Sequence, residues 1–380
     1  MSGISIQGFV RRSSQLTMLL MADENDFRLL LQILNAAPPP PHEKAMLAAL
    51  RYVRKTYADD RRKIKTLSVL HPCRVSSTIA LIELKNGRYS GGYFDVTDFL
   101  VALQHDVEED IPASRLQAAK PEFDALLNEL NEEQRWYMRE RIHALTRPPG
   151  ISYFDYLCSL LDTDNFCVNL VRIKTADKLD GVLDLHLMAP TVSNLDFYLT
   201  IFEILCVPTY RGLPKMPEPP VGRKQVELFV SNLAKALLWI SLVRQTESAM
   251  RDLVVRELID LLIEGAIRQT EVILLSYLMA RIPFASEQHG AIKTGFEYCQ
   301  DPAAVMCVTP RDRGHLLDGS LLEDLALQAD DKTRKRRITE LYDDPTRFTA
   351  LLFVMLSVLR CCMDGSFFVK GITKGGIRVP

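Results

Sequence analysis

The residues best able to do chemistry in this chain are cations, and what they offer is phosphate binding. Lys332, Arg334, Lys335, Arg336 and Arg337 fall within six consecutive positions beside the apolar-periodic Ile338–Tyr342. Such a run is a solvated helix start balanced by Asp330, Asp331 and Glu340, a nuclear import signal, or a patch that neutralises phosphates. A second group, Arg51, Arg54, Lys55, Arg61, Arg62, Lys63 and Lys65, has Tyr52 and Tyr57 among its charges. Cations beside aromatics that stack on bases make a single-strand surface; the alternative is a charged helix flank paired with Asp59 and Asp60. Arg244 and Arg251 lie seven residues apart. That spacing puts them on one helix face, where Glu247 and Asp252 can pair with them.

The nucleophile and metal chemistry is thinner. His71-Pro72-Cys73 is half of a zinc site at most, because no CxxC occurs and Cys361-Cys362 are adjacent, which makes joint tetrahedral ligation awkward. His105, His143, His186, His289 and His315 stand singly, and nothing in their setting selects one. There is no phosphate-cradling P-loop, dinucleotide-binding glycine motif or nucleophile elbow. Asp162-Thr163-Asp164-Asn165 begins like a calcium loop but lacks the glycine and glutamate that complete one. No catalytic residue, metal ligand or cofactor is assigned on this basis, and a non-enzymatic protein is expected.

The elements that must position the cations read as helices. Arg223–Ile282 runs without proline and with Gly265 as its one glycine. Val226, Phe229, Val230, Leu233, Leu237 and Ile240 recur at the 3.6-residue period, which predicts consecutive amphipathic helices with breaks near Thr246 and Gly265. No charge-free run there reaches the ~20 residues of a bilayer span. Further helices are expected over His42–Tyr57, from Asp95 or Thr97 to Gln104, and over Ser152–Leu161, Thr333–Tyr342 and Arg347–Met363. Cys167–Ile173 and Val182–Leu187 read either as short strands or as buried helical pieces. The one β signal is Ile64–Leu70 and Val75–Leu84, with Lys85-Asn86-Gly87-Arg88 as a hairpin turn and Tyr89–Phe94 as the returning strand.

Composition bounds the class. The 380 residues are 47% hydrophobic and 25% charged, with a net charge of −2, which argues against a wholesale basic nucleic-acid binder while allowing a local basic surface. Eight cysteines are scattered without a framework, and the first residues lack signal-peptide features. Reduced thiols and a cytoplasmic setting follow, or a nuclear one through Lys332–Arg337.

Together these observations predict a mainly α protein of two helical lobes with a small β-hairpin in the N-terminal one. The expected divisions are an arm at 1–14, a lobe at 15–147 with the hairpin at about 64–94, a lobe at 148–363 and a tail at 364–380. The expected function is single-stranded RNA binding between the lobes. Its cations would be Arg54, Lys55, Arg61, Arg62, Lys63, Lys65, Arg244, Arg251, Lys332, Arg334, Lys335, Arg336 and Arg337. Ile4, Ile6, Phe9 and Val10 of the arm, with Phe367, Phe368 and Ile372 of the tail, would join copies in a nucleocapsid-type coat. The viral RNA-coating nucleoproteins offer an architectural analogy without a shared motif. The alternative is a helical scaffold that binds protein partners and no nucleic acid.

Overall fold

A computed structural model describes residues 15, 40–58, 60–62, 67–85, 96–162, 167–183, 197–215, 222–299, 331–367, 369 and 372–377. The protein is mainly helical. The chain gathers into two compact units. The first holds Met1–Ile151, Leu160–Asp180 and Arg251–Leu258; the second holds Ser152–Ser159, Gly181–Met250 and Ile259–Pro380. The arm at 1–14, Lys63, Lys65 and Phe368 lie outside the described residues, as do Tyr89–Phe94.

In the first unit, α1 (Pro40–Tyr57) starts on prolines, carries Glu43 in its first turn and ends on Arg54 and Lys55. Each choice suits the helix dipole and the donor-poor first turn. It stops at Ala58, whose φ of 46° is left-handed. Ala58 donates its amide to the Arg54 carbonyl at 2.9 Å. The Arg54 guanidinium donates back to the Ala58 carbonyl at 2.6 Å. The short helices α4 (Val107–Asp110) and α5 (Ala113–Ala118) follow α2 (Leu70–Lys85) and α3 (Val96–Gln104). Then come α6 (Lys120–Asn128) and α7 (Glu132–Leu145), the latter opened by a reciprocal Asn131–Gln134 capping box. Helix α3 packs on α1, α2 and α7, and α1 on α6.

The expected strand Val75–Leu84 is helix, the middle of α2. Every side chain from Leu70 to Ala80 is buried. A helix enclosed on all sides needs no polar face, so its sequence lacks the helical period. Its β-branched residues fit because tertiary burial outweighs propensity. The Thr78 hydroxyl donates to the Arg74 carbonyl and the Ser76 hydroxyl to the Cys73 carbonyl, which lets both stay inside.

Helix α8 (Tyr153–Leu160) precedes α9 (Val168–Leu183). The two segments that read ambiguously are thus one helix as far as residue 183. In the second unit, α10 (Phe197–Cys206) packs on α14 (Ala285–Cys299), which lies along α16 (Pro345–Cys361). Gly295 allows that approach, since a Cβ there would sit 3.0 Å from Cβ of Phe353.

The long apolar stretch forms α11 (Arg223–Arg244), α12 (Glu247–Met250) and α13 (Leu253–Arg281). The break near Thr246 is present. That at Gly265 is not, because a single glycine costs a helix only about 1 kcal/mol, which burial of the surrounding leucines exceeds. Helix α11 is long and apolar enough to cross a membrane, but 72% of its apolar window is buried in the protein. It packs on α15 (Asp331–Tyr342), which adjoins α16. Residues Ile372–Thr373 and Gly376–Ile377 pair as a minimal antiparallel ribbon.

Candidate metal centre

Helix α9 carries the feature that least resembles ordinary core. Arg172, Lys174, Asp177 and Asp180 on it are all buried. Burying a charge is expensive unless it is paired, and these are: Arg172 with Asp252, Lys174 with Asp177, and Asp180 with Arg74. Asp177 and Asp180 are one turn apart and face α2, where His71 and Arg74 are also one turn apart. His105 and Asp106 complete the cluster from the two-residue junction between α3 and α4. All these residues belong to the first unit.

Four ligating atoms converge. His71 Nε2 lies 3.2 Å from His105 Nε2, 3.0 Å from Asp106 Oδ2 and 3.5 Å from Asp177 Oδ1. His105 Nε2 is 3.2 Å from the same Asp106 oxygen and 3.9 Å from Asp177 Oδ1. One potential ligand atom from each of the four residues fits within 4.8 Å of the others. A dication bound to imidazole nitrogen and carboxylate oxygen at about 2.0–2.2 Å separates adjacent ligands by roughly 3.0–3.4 Å. The cluster needs only small side-chain movements to meet that spacing. Both imidazoles use their other nitrogen outside the cluster: His105 Nδ1 meets the Ala102 carbonyl at 2.8 Å, and His71 Nδ1 meets Asp180 Oδ2 at 2.6 Å. Metal-ligating histidines characteristically engage their second nitrogen in this way.

Cations surround the four. Lys174 and Lys178 reach the second oxygen of Asp177 at 3.0 and 2.9 Å. Arg74 holds Asp180 through Nε and, at 2.9 Å, through Nη2. Arg62 Nη1 stands 3.6 Å from Asp180. The histidines are enclosed, whereas the side chains of Asp106, Lys178 and Arg62 keep 19%, 14% and 30% of their surface exposed. Of the four candidate ligands only Asp106 is more than marginally open to solvent. Tyr57 has its hydroxyl buried with no hydrogen-bond partner among the described residues.

The electrostatics agree with a site built for positive charge. Burial and the Arg62 guanidinium oppose a proton on His71, yet Asp180, Asp106 and Asp177 outweigh them and raise its pKa well above the ordinary imidazole value. Burial also opposes the His105 cation, and Asp106 with Asp177 overcomes it, giving about 9. Burial works against ionising Asp106, but the two histidines hold its carboxyl well below the usual range. For Asp177 burial is likewise overcome, first by Lys174 and Lys178. Without a metal both imidazoles therefore hold protons that a dication would have to displace, and the carboxylates of Asp106 and Asp177 are what attract either cation. No thiolate competes: burial pushes the Cys73 thiol up to about 12.

His71, half of a possible zinc site with Cys73 by sequence, lies instead beside His105, Asp106 and Asp177. The other ligands are supplied by two further chain segments. The signal available in the sequence was Arg172, Lys174, Asp177, Lys178 and Asp180 interrupting an otherwise apolar run, and His105-Asp106 ending the apolar Phe99–Leu103.

The expected phosphate-contacting cations are divided between the units. In the first, Arg54 is turned to Ala58, Lys55 pairs with Glu122 at 2.6 Å, and Arg61 is exposed in a bridge with Leu67. Arg62 faces Asp180 at 3.6 Å. Arg251 is exposed. In the second unit, Arg334 is buried, which takes it off any phosphate surface. Lys332, Lys335 and Arg336 are exposed, and Arg336 and Arg337 adjoin Glu340 at 3.7 and 3.6 Å. Arg244 donates to the Asp364 and Phe367 carbonyls, each at 2.8 Å. Ile372 is fully buried in its own unit, so it is not a face for joining copies, while Phe367 is half-buried.

Comparison with protein-family models, with curated proteins and with solved structures gives no match.

Proposed function

We propose that the protein is a metal-dependent hydrolase of phosphorylated substrates, holding one divalent ion through His71, His105, Asp106 and Asp177. The observation that carries this reading is the convergence of the four ligating atoms while both histidines spend their second nitrogen elsewhere. Mixed nitrogen and carboxylate ligation without sulfur suits borderline first-row dications such as Mn2+, Fe2+, Co2+ or Zn2+. An ion held there supplies Lewis-acid chemistry, polarising a phosphoryl oxygen or lowering the pKa of a water.

The chain's own residues account for the substrate class. Asp106, Asp177 and Asp180 are matched by Arg62, Arg74, Lys174 and Lys178, so a bound dication leaves these seven side chains with an excess of positive charge, which favours an anionic substrate. Arg62 and Lys178, which border Asp180 and Asp177 and are the more exposed of the four cations, are the residues this reading assigns to phosphate oxygens. Asp110, one turn past Asp106, has its carboxyl raised by burial and by the Asp106 charge.

The test is hydrolysis of bis(4-nitrophenyl) phosphate and 4-nitrophenyl phosphate by the full chain after chelation and after adding each metal. Metal-restored turnover that Asp177→Asn abolishes supports the reading; no turnover above buffer with any metal contradicts it. The alternative, single-stranded RNA binding, draws on exposed Lys332, Lys335 and Arg336 of the second unit. Alanine at these three positions should leave hydrolysis unchanged, whereas an RNA-binding role would show as weaker affinity with a flatter salt dependence.

A further inference from the structure

We infer that Asp180, gripped by Arg74, is the positioning residue of this centre: it keeps the proton of His71 on Nδ1 and so aims the Nε2 lone pair at the point shared with His105, Asp106 and Asp177. This rests on the metal-centre reading.

The argument begins with helix geometry. On α2, His71 and Arg74 are three residues apart, as are Asp177 and Asp180 on α9, so each pair projects from one face. The two pairs interlock. Asp177 and Asp180 meet opposite nitrogens of one imidazole, Asp177 at Nε2 and Asp180 at Nδ1. Arg74 fixes Asp180 from behind through two nitrogens on its two oxygens. A guanidinium fork on a carboxylate sets the carboxylate plane as well as its position.

An ionised carboxylate only accepts hydrogen bonds, so the atom of His71 that faces Asp180 must carry hydrogen. Once a metal ion has displaced hydrogen from Nε2 the imidazole keeps one N–H, and holding it on Nδ1 leaves the Nε2 lone pair to the ion. At His105 the same task falls to a backbone carbonyl. Asp180 is therefore more than a filler of charge. It selects the only tautomer of His71 that can bind a metal ion from this position.

The substitution that isolates the role is Asp180→Asn, which keeps size and shape. With its oxygen in the place of Oδ1, accepting from Arg74 Nε, the new amide nitrogen takes the place of Oδ2, gives up the Arg74 Nη2 bond and donates to His71 Nδ1. That forces the hydrogen onto Nε2 and blocks ligation. The expected result is a 10–100-fold rise in the Kd for Zn2+ added alone, with the metal-free thermal midpoint of each variant reporting its folding. Asp177→Asn, which removes a ligand, should abolish binding at this site. Equal Zn2+ affinity in wild type and Asp180→Asn overturns the role of Asp180 and leaves the centre standing. No Zn2+ binding by the wild type overturns the centre itself.

A second measurement does not depend on any variant's folding. In the Zn2+-loaded, 15N-histidine-labelled chain, two-bond nitrogen–proton correlations should show His71 protonated at Nδ1 and metal-bound at Nε2. A purely structural Asp180 makes no such demand, and the opposite tautomer contradicts the assignment.

Discussion

His71 and His105 bring their Nε2 atoms to 3.2 Å of each other, although each imidazole is anchored by its other nitrogen to a different part of the fold. Two imidazole nitrogens do not approach this closely without a cation or a proton between them and their carboxylate neighbours. Metal binding should therefore stabilise the protein. At a free concentration 100 times the Kd, Mn2+ or Zn2+ should add about 2.7 kcal/mol. Thermal unfolding with metal and with chelator reads this directly, and coincident midpoints would count against a folded-state site.

Loss of a ligand should separate chemistry from folding. His105→Gln and Asp106→Asn are expected to lower metal-dependent phosphodiester hydrolysis by at least about 100-fold. Circular dichroism should still report a helical chain, since α3 is buried along its whole length. Retained activity in both variants would remove these residues from the mechanism.

Ala58 holds a left-handed conformation at the end of α1. That costs a residue bearing a Cβ about 1–2 kcal/mol. Glycine adopts it freely but gives the unfolded chain back about 0.4–1 kcal/mol of entropy. Ala58→Gly should therefore stabilise by roughly 0.5 kcal/mol, seen as a higher urea midpoint with an unchanged slope. A lower midpoint would show that the Arg54–Ala58 pairing depends on the methyl group.

Between α14 and α16 the expected sign is opposite. Gly295→Ala would press a methyl group to 3.0 Å from Cβ of Phe353 and 3.4 Å from the Cα of Ala350. The second of these is backbone and yields little. Overpacking of this kind costs about 1–3 kcal/mol, measurable as a lowered unfolding midpoint.

Gln269 lies fully buried with neither amide atom bonded to any described residue. Leaving such groups unpaired costs about 1–3 kcal/mol. Gln269→Met, similar in length and without the amide, should raise stability by about 1 kcal/mol. Destabilisation would mean that an internal water satisfies the amide.

The helical architecture was legible where one helix face is buried and the other wet. Val226, Phe229, Val230, Leu233, Leu237 and Ile240 are all buried in α11, as their spacing predicts. Legibility failed at α2, where burial on every side erases the period and leaves Val75, Thr78 and Ile79 to argue for a strand. Gly265 was over-read as a break because propensity alone ignores the packing on either side of it. The centre was not legible for a different reason. His71 is 35 residues from Asp106 and 109 from Asp180, and only the folded helices close those separations. The basic runs drew attention because they are contiguous, whereas Arg62 and Arg334 turn inward for reasons that local sequence does not carry.

The most direct test of the central claim is metal stoichiometry. The full chain, stripped with chelator and re-equilibrated with Mn2+ or Zn2+ alone, is dialysed and assayed by elemental analysis beside Asp177→Asn. The account predicts one tightly held ion per wild-type chain and none at this site in the variant. Equal metal content in the two proteins, or none in either, would contradict it.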